Sequence, residues 1–151
     1  MTRRQSVPQQ WLIVAAPAGD DMWRAVRRLP HDSGVLLLQP LGGPDKRRLL
    51  QLCRLRSLTM VIEKPGTAAR VHNARELRQA LSRRTPLILL SPIFRTQSHP
   101  NWKSLPRMRA ATLARLAGRR AIALGGMNAE RYAKVAPLGF IAWGGISVFR
   151  T

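Results

Sequence analysis

Residues 86–100 read PLILLSPIFRTQSHP, and what happens between the first half of this stretch and the second decides the fold. Leu87 to Leu90 is a continuous apolar run. Such a run marks a strand buried on both faces, the condition that a parallel sheet imposes. It gives way through Ser91-Pro92 to a polar loop, Arg95 to Pro100. Two later stretches share this construction: Ala121 to Leu124 ends in Gly125-Gly126, and Phe140 to Trp143 ends in Gly144-Gly145. Three buried strands, each emptying into a loop fit to touch a ligand, predict the working face of a β/α barrel.

Strand and helix signals alternate on both sides of this stretch. WLIVAAP (11–17) reads as the first strand, behind a flexible N-terminus over 1–10. Met22, Ala25, Val26 and Leu29 then recur at helical spacing, with Asp20 or Asp21 as cap. GVLLLQP (34–40) reads as a second strand, and Asp45 caps a helix to about Arg56. LTMVIEK (58–64) is a third strand, closed by Pro65-Gly66. A brief strand lies around Arg70 to His72, before Asn73 and Glu76 at capping-box spacing. A helix from about Pro106 to Ala117 follows the 86–94 strand, and Asn128 caps another between the strands at 121–125 and 140–144.

That alternation argues one parallel α/β domain over 11–151. A complete (β/α)₈ barrel usually needs about 200 residues or more, and the chain has 151. The expected fold is therefore an incomplete TIM-type (β/α) barrel of about seven strands. One β/α unit between the third strand and residue 70 is missing, as is the last helix. Such a barrel must rearrange around seven strands or leave a sheet edge open, and a homo-oligomer could cover that edge.

Composition narrows the classes further. An apolar content of 45% fits a globular chain, and no run approaches the length of a membrane span. WLIVAAPA is followed at once by Asp20-Asp21, which reads as a first strand rather than a signal peptide. Cys53 stands alone, so no internal disulfide forms; among Leu49, Leu52 and Leu55 it reads as a core thiol in a reducing cytoplasm. The net charge of +19 admits two readings. One is a nucleic-acid binder, whose affinity would come from phosphate neutralisation. The other is a basic coat on outward-facing helices, and the arginines at 47–56, 75–84 and 107–120 fall in separate helical stretches, as that coat would place them. Non-specific attraction for polyanions follows from either.

In barrels of this type a phosphate commonly docks at the loops after the last two strands. Here those loops hold Gly125-Gly126 and Gly144-Gly145-Ile146-Ser147. Glycine lets the backbone approach an anion closely while successive N–H groups donate to it, and Ser147 adds a hydroxyl. Either pair could equally serve only to end its strand.

SPIFRTQSHP, ALGGM and GGIS together resemble the thiamine phosphate synthase and TenI-like family, over about Arg70 to Arg150. SPIFRTQSHP is similar to its strand-six loop, which reads S-P-V-F-P-T-x-[ST]-[KH]; the other two are similar to its strand-seven and strand-eight ends. The resemblance implies a cytoplasmic protein of thiamine biosynthesis that binds thiazole phosphate. Gly125, Gly126, Ile146 and Ser147 would hold the phosphate; Thr96, Ser98 and His99 would cover it, with Arg95 where the family has proline. Coupling to a hydroxymethylpyrimidine diphosphate, with release of pyrophosphate, is the activity implied. The family needs Mg²⁺ for that step, held by Asn-Asp after strand three and Asp after strand four. This chain offers Glu63 alone near a metal, and Gln39 and Lys64 toward a diphosphate. His72 matches the family's strand-five end, as a pocket residue or a buried histidine bonded to backbone. A non-catalytic phosphate-ligand binder of the same fold is the other implied role.

Overall fold

A computed structural model describes residues 6–15, 17–96, 100–146 and 148–149. Strands β1 (Gln10–Val14), β2 (Gly34–Leu37) and β3 (Thr59–Ile62) alternate with helices α1 (Asp20–Arg28) and α2 (Gly43–Leu55). After them come β4 (Ala68–Val71), α3 (Ala74–Ser82), β5 (Leu87–Leu90) and α4 (Arg107–Ala117). The chain closes with β6 (Ala121–Leu124), α5 (Ala129–Val135), a 3₁₀ turn (Ala136–Leu138) and β7 (Ala142–Gly145). All pairings between the named strands are parallel, in the order β3-β2-β1-β7-β6-β5-β4. β1 beside β7 is the closure a barrel makes; β3 and β4 are left as the two edges. The result is an incomplete TIM-type barrel, curled around its inner face.

Burial follows strand periodicity. One face of the sheet sends Trp11, Ile13, Leu36, Leu89, Ile122 and Ala142 into a shared inner cluster. The other face splits between two helix-covered clusters. Leu12, Val14, Val35 and Leu37 lie under α1 and α2 with Met22, Val26 and Leu49. Ile88, Leu90, Ala121 and Ala123 lie under α3, α4 and α5 with Leu77, Leu113 and Val135. Trp11 fills the interior at 1% exposure, and its Nε1–H donates to the Pro8 carbonyl at 2.8 Å. Gly34 on β2 makes room for it, since a Cβ there would fall inside the indole ring's contact distance.

Residues 63–67 alone join β3 to β4. Parallel neighbours need a crossover of about a dozen residues or more, so a turn this short demands another geometry. Each strand step in a sheet rotates by roughly 20–25°, and six steps accumulate roughly 120–150°. The last strand is thereby turned back toward the first. Lys64 pairs with Ala68 in an antiparallel bridge, and the Lys64 carbonyl accepts from Thr67 N–H at 3.0 Å. Across the same opening Arg70 Nε lies 2.9 Å from a Glu63 carboxylate oxygen.

Several expectations shift in detail. No helix lies between β3 and β4, so the gap removes one helix more than a single β/α unit would. Residues 8–10 are tied in rather than loose, because the Gln9 carbonyl accepts from Trp143 N–H at 3.0 Å. Asp20, Asp21 and Asp45 occupy first turns, while Gly19 and Gly42 stand at the cap positions.

Candidate functional site

The C-terminal ends of the strands surround a cavity of about 400 Å³. Its wall begins with the β5 loop. Ile93 N–H donates to the Leu124 carbonyl at 2.9 Å and Phe94 N–H to the Gly125 carbonyl at 3.1 Å, which lays residues 91–95 along the end of β6. That apposition is why glycine stands at 125 and 126. A Cβ on Gly125 would sit 2.8 Å from Pro92 Cα, and one on Gly126 would collide with the Arg95 carbonyl oxygen. Both also have positive φ, 99° and 59°, in the region that disfavours any side chain. The pair therefore serves the loop as well as any ligand.

The second glycine turn lies beside the first. A Cβ on Gly145 would lie 3.8 Å from the Met127 carbonyl oxygen, and Gly125, Gly126, Gly145 and Ile146 all line the one cavity. Thr96 lines it too. Ser98, His99 and Ser147, expected from the sequence beside them, lie outside the described residues.

Four basic residues line the cavity: Arg70 from β4, His72 just after it, Arg95 from the β5 loop and Arg131 from α5. Asn128 caps α5 by accepting from Arg131 N–H at 2.8 Å. The Arg131 guanidinium then reaches back to donate to the Gly126 carbonyl and stacks 5.0 Å from the Phe94 ring centroid. His72 turns Nδ1 toward Glu76 at 3.2 Å and meets Trp102 edge-on, ring centroids 5.7 Å apart. Trp102 is 46% exposed and lines the cavity mouth. Cations, two glycine turns and an aromatic edge make a site suited to an anionic ligand carrying a ring.

Gln39, Lys64 and Glu63 are placed elsewhere. Gln39 is exposed and lines neither cavity. Lys64 and Glu63 border a second cleft of about 310 Å³ at the open side of the barrel, with Glu63 paired to Arg70. Among the described residues no three His, Cys, Asp or Glu come together to hold a metal ion. The lining of the large cavity contains no carboxylate, so its donor set does not fit the Mg²⁺ that the family resemblance implies.

Sequence reasoning named His72 and Arg95 and missed Arg70, Trp102 and Arg131. Arg131 carries a signal after the fact: it stands three residues past a capping asparagine, on the turn that faces the cavity. Arg70 carries none, because a lone arginine in a four-residue strand has no pattern.

No protein-family model matches the chain. No match is found among curated proteins either. Among solved structures it is similar to a thiamine phosphate pyrophosphorylase from Bacteroides thetaiotaomicron, at 15% identity and a TM-score of 0.55. The similarity covers 92% of this chain and 83% of the other. At that identity it shows a shared fold.

Proposed function

We propose that this chain is a thiamine phosphate synthase-like protein, acting in thiamine biosynthesis, whose cavity binds thiazole phosphate. One observation carries the reading: both glycine turns and Thr96 line a single cavity at the strand ends. The phosphate would take backbone N–H groups from Gly125, Gly126 and Ile146, with Ser147 adding a hydroxyl. Thr96, Ser98 and His99 would close over it. The likeness of fold to a pyrophosphorylase supports a second substrate, a pyrimidine diphosphate, on the side of Arg70, His72 and Trp102. Coupling the two would be catalysed by positioning, and by cations that stabilise the departing pyrophosphate. Buried Cys53 fits a reducing, cytoplasmic setting.

Calorimetry with thiazole phosphate, beside an assay for thiamine phosphate formed from both substrates, tests this. Binding with turnover supports the synthase. The carboxylate-free lining favours a second reading, a non-catalytic binder of the same ligand, and binding without turnover would select it. No binding at all would overturn both.

A further inference from the structure

We infer that this cavity carries the phosphate charge of its ligand on arginine and takes a diphosphate without a divalent cation. The inference rests on the phosphate-site reading above. A divalent ion that escorts a diphosphate is held by oxygen ligands, carboxylates above all. The chain has seven Asp and Glu in total. All seven are among the described residues, and none lines the cavity. Two stand near it, and both are engaged: Glu63 with Arg70, and Glu76 with His72 and the Asn73 side chain. The other five lie in helical first turns or in the exposed turn at Asp32.

Three arginines line the same space instead, Arg70, Arg95 and Arg131, the first of them paired with Glu63. Guanidinium remains charged throughout the working pH range and presents a planar fork that matches phosphate oxygens two at a time. Arg131 is already held in place by Phe94 and the Gly126 carbonyl, which lowers the entropy lost when it binds. A small dication entering this cavity would meet the charges of Arg95 and Arg131, an Arg70 already paired with Glu63, and no carboxylate in the lining.

Inorganic pyrophosphate, titrated calorimetrically into the full chain at about 0.15 M salt, where distant charges are screened, is the probe. One arm contains EDTA and the other excess Mg²⁺. Saturable binding is expected in EDTA, unchanged or weaker with Mg²⁺, which masks the anion's own charge. Arg95→Gln and Arg131→Gln should each weaken it about 10- to 100-fold, as loss of a charged hydrogen-bonding pair does. Arg95→Lys, which keeps charge but loses the fork, should fall between. Arg115→Gln, exposed on α4 away from the cavity, should bind like the parent chain and so separates the site from general polyanion attraction. Tightening by about tenfold or more on adding Mg²⁺, still sensitive to the two arginines, would overturn the metal-free inference and leave the phosphate site standing. Binding indifferent to both arginines, or absent in both arms, would remove the phosphate site and the inference together.

Discussion

Trp11 and Gly34 show how a single residue's shape sets the width of this barrel. A seven-stranded interior has less room than an eight-stranded one, and here an indole occupies it against a bare backbone. Gly34→Ala places a methyl against the ring, and overpacking of this kind costs about 2–3 kcal/mol. Urea denaturation should show a lower midpoint at unchanged slope, and Trp11→Leu should partly rescue it in the double variant. Cys53 gives a second test. Burial pushes its thiol from 9.0 up to about 11. Between those values the folded chain holds a proton that the unfolded chain has released, so stability is full below pH 9 and falls as pH rises toward 11. The loss should approach about 2–3 kcal/mol, from roughly 1.4 kcal/mol per pKa unit. Cys53→Ala should flatten that part of the pH profile; an unchanged slope would assign it elsewhere. The buried cysteine was legible from Leu49, one helical turn before it and buried with it, whereas Leu55, also expected beside it, is 81% exposed. The Trp11–Gly34 contact was not, because strand pattern tells which face a residue takes and not which partner it meets across the barrel.

Among the elements, helix starts divide into those the sequence resolves and those it does not. Asn73 and Asn128 cap α3 and α5 as expected, each accepting a backbone N–H three residues on. Asp20, Asp21 and Asp45 fall inside their helices because an acid in the first turn meets the helix dipole as well as a cap does, so composition alone cannot separate the two positions. At α3 the cap also reaches the site. Asn73 Nδ2–H donates to Glu76 Oε1 at 2.9 Å, while the other carboxylate oxygen faces His72. Asn73→Ala should cost about 1 kcal/mol, or a melting temperature lower by about 2–4 °C for a chain of this size. Asn73→Asp, which keeps the cap acceptor, should retain most of it. The strands were legible in proportion to their burial. β5 and β6 fall where their apolar runs lie, but β4, a four-residue edge strand interrupted by Arg70, begins at Ala68 rather than near Arg70.

For the molecule as a whole, alternation of strand and helix signals was enough to fix a parallel barrel short of one strand. It could not show that the helix after β3 is lost as well, because how near the two edge strands come to each other depends on all seven strands together. Charge is also a property of the whole. Twenty-six Lys and Arg face seven Asp and Glu. Among the described residues, ion pairs engage Arg24, Arg70 and Lys134 with acids. The exposed arginines are divided among α1, α2, α3 and α4, so they repel one another across the outer layer without forming one ligand track. Self-repulsion of this kind weakens the compact state and is relieved by salt. Raising NaCl from about 0.01 to 0.3 M shortens the Debye length from about 30 Å to below 10 Å, which covers the spacing between neighbouring helices. With seven acids in the chain, the favourable ion pairs that salt could weaken are limited in number. Relief of about 1–2 kcal/mol would raise the melting temperature by about 3–8 °C. Chloride is the informative salt, because sulfate and phosphate could also occupy the cavity. A melting temperature flat or falling across that range would mean that repulsion among the outer helices does not limit the stability of the fold.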